Sequence, residues 1–193
     1  MRNAAFDREM VLRSAMTAFM HKGYAKTSMQ DLSEATGLHP GSIYCAFVNK
    51  RGLLLAALEQ YKQDRNAQFL EFFNGTLPVL SSLKDYLNNI VDECTSCDVG
   101  KACLLTKALN ELADQDEEVR SIISDNLEHW QQALAAQFER AKAAGELTTH
   151  RKSAHLARFF VMGIYGLRTF AHTHPQAQVL QQLADQLYQD ISA

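Results

Sequence analysis

The chain is predicted to be all-α, with about nine helices: a three-helix head carrying a helix-turn-helix, then a larger helical body. Three observations lead there. Of its 193 residues, 47% are hydrophobic, which is enough for a sizeable core. Only three prolines and nine glycines interrupt it, and the long Ala/Leu/Gln/Glu stretches between them favour helix. Residues 27 to 53 read as two short helices around a glycine, followed at once by a third.

The first helix is expected from Phe6 to Lys22, where Phe6, Met10, Val11, Ala15, Ala18 and Phe19 keep a helical period and Gly23 ends the run. Thr27 or Ser28 caps the second helix, with Asp31 in its first turn. Met29 and Leu32 form its buried face, and Gly37 makes the bend. Pro40 opens the third helix, and Ile43 and Phe47 point inward, four apart. The fourth starts near Lys50 and runs through Leu53, Leu54, Ala57, Leu58 and Tyr61 to about Phe73, where Asn74-Gly75-Thr76-Leu77-Pro78 breaks it. Further helices are expected at Val79 to Cys94, Ala102 to Ala113, Asp116 to Ala144, Ser153 to His172 and Gln176 to Ile191, with a loop at Asp98-Val99-Gly100. The natural division is a head at 1–52 and a helical body at 53–193, connected by the helix at 50–73.

Charge is unevenly placed. Residues 1–52 hold seven Lys/Arg against four acids, and the remainder holds twelve against eighteen. A basic head on an acidic body suits a protein that offers one end to an anionic polymer. No apolar run approaches the ~20 residues of a membrane span. The first residues have no apolar stretch of a secretion signal, so the expected compartment is the cytoplasm. Four cysteines, Cys45, Cys94, Cys97 and Cys103, are then expected as free thiols. There is no Gly-rich phosphate loop, His-Glu zinc helix or nucleophile elbow. An enzyme is therefore not expected, and no catalytic set, metal site or cofactor is assigned.

The third helix carries the chemistry. Its outward residues, His39, Gly41, Ser42, Tyr44 and Cys45, include no acid to repel phosphate, and most are small enough for the backbone to approach base edges. His39 and Ser42 can bond base edges. Thr27, Tyr44 and Lys50 can bond phosphates, with Ser28 beside them.

The string Ala18-Phe19, Lys22-Gly23-Tyr24, Thr27-Ser28-Met29, Leu38, Gly41-Ser42-Ile43-Tyr44, Phe47, Lys50 and Leu53-Leu54 resembles the N-terminal domain of the TetR family of bacterial transcriptional regulators. The resemblance implies an all-α homodimer that binds a palindromic operator in double-stranded DNA and answers to a small-molecule effector, most often as a repressor. It implies phosphate contacts from Thr27, Tyr44 and Lys50, and groove contacts from His39, Pro40, Gly41, Ser42 and Cys45. Ser33 stands where the family usually has alanine, and Cys45 where a larger residue is common.

In the body, residues 155 to 167 are apolar nearly all round, which calls for burial on all sides. Phe160, Gly163, Ile164 and Leu167, with Leu180, Leu183 and Leu187 of the final helix, are the candidate dimer interface. Phe69, Phe73, Tyr86, Cys103, Trp130 and Phe159 are the candidate effector pocket. A second reading makes the effector an electrophile or oxidant acting at Cys103 or Cys97. Cys103 is expected in the first turn of a helix with Lys101 and Lys107 nearby. Gly100-Lys101-Ala102-Cys103-Leu104-Leu105 also resembles a Gly-Cys-Leu helix start in one TetR branch that includes cysteine-based sensors.

Overall fold

The computed structural model describes residues 7–96 and 103–193. Phe6, Cys97, Lys101 and the expected loop at 98–100 lie outside them. Among the described residues there are nine helices: α1 Arg8–Lys22, α2 Met29–Thr36, α3 Pro40–Phe47, α4 Lys50–Phe72, α5 Val79–Ser96, α6 Leu104–Leu112, α7 Glu117–Ala143, α8 Ser153–Phe170 and α9 Ala177–Ser192. No helix among the described residues is long and apolar enough to cross a membrane.

Short polar side chains set where the helices begin. Asp7 accepts from the Met10 amide to start α1. Ser28 and Asp31 form a reciprocal capping box at α2, so Ser28 and not Thr27 is the cap. Asn49 accepts from the Gly52 amide at 2.8 Å to open α4. Asp116 does the same for Val119 in α7, at 3.1 Å. Glu146 reaches from outside the helix to accept from the Val79 and Leu80 amides at the start of α5, at 3.1 and 2.9 Å.

The chain forms two compact units. The first runs to Arg65 and includes Cys103–Ile123. It therefore reaches beyond the three-helix head, taking in the first part of α4, α6 and the start of α7. In it α1 packs on α2 and on α6, and α2 packs on α3. Its core contains Val11, Leu12, Ala15, Met16, Phe19, Leu32, Ile43, Phe47, Leu54 and Leu58. Met10, expected on the inward stripe, is 59% exposed, because that stripe is centred on Leu12, Ala15, Met16 and Phe19. Met29 is only half-buried.

The second unit begins at Asn66 and includes Ser124–Ala193. Here α9 packs along α5 and α8, and α5 meets α8. Phe138, Phe160, Leu134, Leu156 and Ala157 are fully enclosed in its core. Glu93 of α5 pairs with buried Arg168 of α8 and also accepts from Gln68 and Asn89. This gives the charged pair the additional hydrogen bonds that a buried site requires.

Two expectations about side-chain placement change. Phe160, Ile164, Leu167, Leu180 and Leu187 lie inside the subunit's own core, between 0% and 8% exposed, so their apolar surface is not available to a second copy. A Cβ on Gly163 would come within 2.3 Å of Leu187 Cδ2, so that glycine admits α9 of the same chain. The surface left outward is half-buried Phe159, Met162 at 59% exposure, Gly166 with nothing near it, and Leu183 at 43%.

Candidate nucleic-acid interface

Three local features hold α3 against α2. Gly37 sits at φ 69° with open space around it, so the backbone angle and not crowding requires glycine there. Ser33 Oγ donates to the Leu38 carbonyl at 2.6 Å, tying α2 to the segment before α3. Thr36 Oγ1 accepts from the Leu38 amide at 3.3 Å. The polar residue in place of the family's alanine thus makes a specific bond.

Burial sorts the third helix as its spacing suggested. Ile43 and Phe47 are buried, while Gly41, Ser42, Tyr44 and Cys45 are exposed, as is His39 just before them. Pro40 is half-buried at the first helical position. The His39 ring is already committed on one side, since its Nδ1 accepts from the Gly41 amide at 3.2 Å. That bond places the ring proton on Nε2, so His39 presents a donor outward.

The expected phosphate anchors differ in their freedom. Tyr44 is 49% exposed. Thr27 is fully buried, and its hydroxyl donates to the Gly23 carbonyl at 2.5 Å. Its side chain therefore shapes the turn between α1 and α2. Ser28 is exposed, but its hydroxyl already serves the α2 cap. Lys50 Nζ donates to the carbonyls of Tyr24 at 2.9 Å and Thr27 at 3.0 Å, and lies 4.4 Å from the Tyr24 ring centre. Two of its three donors thus hold that same turn.

Electrostatics reinforce the frame. The Lys22 ammonium, 2.6 Å away, and two hydrogen bonds from Ser28 hold the Asp31 carboxyl down at about 2. The Arg51 guanidinium does the same to Asp116, also to about 2, and bonds Glu118 at 2.6 Å. Arg8 lies 4.9 Å over the Phe47 ring at the end of α3, a cation that spacing alone did not single out. Lys107 and Glu111 of α6 also reach the turn between α1 and α2. Neither was foreseen, because each bond spans at least 86 residues of sequence.

Of the candidate pocket residues, Phe69, Phe73 and Tyr86 pack on one another, with ring centres 4.4 to 6.0 Å apart. Trp130 pairs with Tyr165 at 6.0 Å. Phe159 is half-buried. Cys103 belongs to the other unit and caps α6 without entering its first turn. Its thiol is half-buried and accepts from Tyr61 Oη at 3.6 Å. Lys107 Nζ is engaged by the Met20 and His21 carbonyls.

A capped helix-turn-helix with an acid-free outward face defines a DNA-binding regulator. The chain belongs to the TetR family of bacterial transcriptional regulators. Residues 11–57 match the family of bacterial regulatory proteins, tetR type. Residues 79–187 match the tetracyclin repressor-like C-terminal domain. The chain is 30% identical to the HTH-type transcriptional repressor ComR of Escherichia coli K12, over 95% of its own length and 88% of that protein's. It is 26% identical to the transcriptional regulator AcuR of Cereibacter sphaeroides, over 85% of this chain and 75% of that one. Among solved structures it is similar to a cysteine-substituted form of the TetR family regulator CifR complexed with 26-bp operator DNA. That match has a TM-score of 0.86 and 26% identity, and covers 97% of this chain and 98% of the other.

Proposed function

We propose that the chain is an effector-responsive repressor that binds a palindromic operator as a homodimer. The observation that carries this is the exposed, acid-free face of His39, Gly41, Ser42, Tyr44 and Cys45, backed by a fully buried Ile43. His39 Nε2–H and Ser42 read base edges, Pro40, Gly41 and Cys45 line the groove contact, and Tyr44 anchors a phosphate. Thr27 and Ser28 contribute through the backbone at the start of α2, and Lys50 through its third donor. Two copies hold their recognition helices one DNA turn apart, roughly 34–36 Å.

The second copy docks on Phe159, Met162, Gly166 and Leu183. The effector, an apolar or aromatic compound, lodges beside the cluster of Phe69, Phe73 and Tyr86, near Trp130 and Phe159. Its binding favours a body conformation with a different head spacing, by no more than its differential affinity for the two states. The helix α4 is continuous through both units and carries that change past Leu54, Leu58 and Tyr61. Residues 1–52 act as the DNA-binding domain and 53–193 as the regulatory one.

The test is titration of the protein onto a duplex from its own upstream DNA across a salt series. Affinity falls steeply with salt as phosphate contacts release counterions. A flat response, or no binding at low salt, would sink the reading. Tyr44→Phe weakens binding to all sequences alike, while His39→Ala and Ser42→Ala change which bases are preferred.

A second reading rests on the half-buried Cys103 thiol beside Tyr61 Oη. There the thiol adds across an electrophilic carbon–carbon double bond, its sulfur bonding one carbon and its proton passing to the other as the π bond opens, and the added bulk displaces the start of α6. If Cys103→Ser still released DNA normally on electrophile treatment, this reading would fail.

A further inference from the structure

The turn between α1 and α2 leads into the helix-turn-helix, and its backbone is held by charged side chains from elsewhere. Lys107 Nζ of α6 donates to the carbonyls of Met20 and His21, at 2.5 and 3.1 Å. These are among the last carbonyls of α1, which lack helical partners, and a cation there also suits the helix dipole. One turn further along α6, Glu111 Oε2 accepts from the Ala25 amide at 2.9 Å. The other carboxylate oxygen lies 2.1 Å from where a Cβ on Gly23 would stand, so the carboxylate rests on a surface only glycine leaves free. Gly23 also has φ 79°, which favours glycine independently. Lys50 takes the Tyr24 and Thr27 carbonyls. Five backbone groups, two at the end of α1 and three in the turn after it, are thus bound by three charges, two of them on α6.

We propose that Lys107 and Glu111 are positioning residues through which α6 sets the DNA-reading geometry of the head. The proposal deepens the DNA-regulator reading and rests on it. Lys107 and Glu111 sit four residues apart on one stripe of α6, and Cys103 begins that stripe as the helix cap. The Lys107 amide donates to the Cys103 carbonyl at 3.0 Å, and Tyr61 Oη reaches the Cys103 thiol. A displacement of α6, such as chemistry at Cys103 would cause, pulls both charges on the end of α1 and the turn after it. Charged hydrogen bonds suit this role, because they are roughly twice as strong as neutral ones and so transmit a larger force to the backbone they hold. Neither side chain contacts DNA in this scheme.

The test compares the wild-type protein with Lys107→Gln and Glu111→Ala, and with the conservative pair Lys107→Arg and Glu111→Gln. The probe is the duplex that the wild-type protein selects from a random-sequence library, set against a scrambled duplex of equal composition. Both disruptive variants bind the selected duplex about tenfold more weakly, a coupling of ordinary allosteric size. Binding to the scrambled duplex and the salt slope stay unchanged, and the conservative variants recover most of the loss. Amide exchange at Ala25 quickens in Glu111→Ala and not in Glu111→Gln. The proposal is overturned if folded disruptive variants bind the selected duplex as wild type does. It is equally overturned if the salt slope drops, which would make Lys107 a phosphate contact, or if the loss only tracks the unfolded fraction. Failure of the wild-type protein to select any duplex would instead overturn the DNA-reading assignment itself, and this proposal with it.

Discussion

Val48 follows the recognition helix at φ 70°, ψ −49°, with the Asn49 amide donating to the Phe47 carbonyl at 2.8 Å. This is a strained γ-turn, and valine is a poor residue for it because its branched Cβ crowds the backbone at positive φ. The tight corner is possible because Gly52 is beside it: a Cβ there would lie 2.0 Å from the Phe47 carbonyl oxygen. Val48→Gly relieves the strain at some cost in chain entropy, a net gain of about 1 kcal/mol. Calorimetry should show the midpoint rising by about 2–4 °C, and a fall would mean that the turn is unstrained. At Asp31 the expected dependence is on acid. Its carboxyl is held at about 2 against an ordinary 3.8, so its contribution is present above about pH 4 and disappears as the pH falls through 2. In Lys22→Met the loss should begin at higher pH, as carboxyl chemical shifts followed by NMR would register. An unmoved Asp31 titration would remove Lys22 as the main cause.

At the scale of the element, two glycines of α8 separate two kinds of packing. The side chain of Leu187 occupies the space above Gly163, whereas Gly166 faces open space. Gly163→Val should therefore overpack the α8–α9 contact and destabilise the subunit by about 1–3 kcal/mol. Gly166→Ala should leave the isolated subunit unharmed or firmer by about 0.5–1 kcal/mol, as expected for glycine replaced inside a helix. Denaturant unfolding of the two variants checks the contrast, and equal losses would contradict the assignment of inward and outward faces. Apolar periodicity located every helix here to within a few residues. It could not tell an apolar side chain packed within the subunit from one left for a partner, since both carry the same residue types. That is why Phe160, Ile164 and Leu187 read as interface and proved to be core.

For the whole molecule, the proposed dimer pairs two heads through the outward face of α8 and α9, so that face is the place to test control of DNA binding from a distance. Met162→Glu combined with Leu183→Glu places charge on the exposed patch while leaving the subunit core intact. Sedimentation should then report a monomer, and affinity for the selected operator should fall by at least about 100-fold, while weak binding to any duplex persists. A variant that remains dimeric would move the interface elsewhere.

The sequence by itself determined the fold class, the order of the helices, the helix-turn-helix and the outward face of α3. All of these follow from local periodicity, capping residues and turn glycines, which act over a few residues. Only the tertiary structure decided which neighbours each polar group would meet. It turned Thr27 inward to Gly23, bound Lys50 to the turn carbonyls, and closed Gly163 over Leu187. It also brought Lys107 and Glu111 onto the α1–α2 turn. Apart from the local Thr27–Gly23 bond, those pairings join segments far apart in the chain, and a side chain's type shows what it can bond, not what folding will bring within reach.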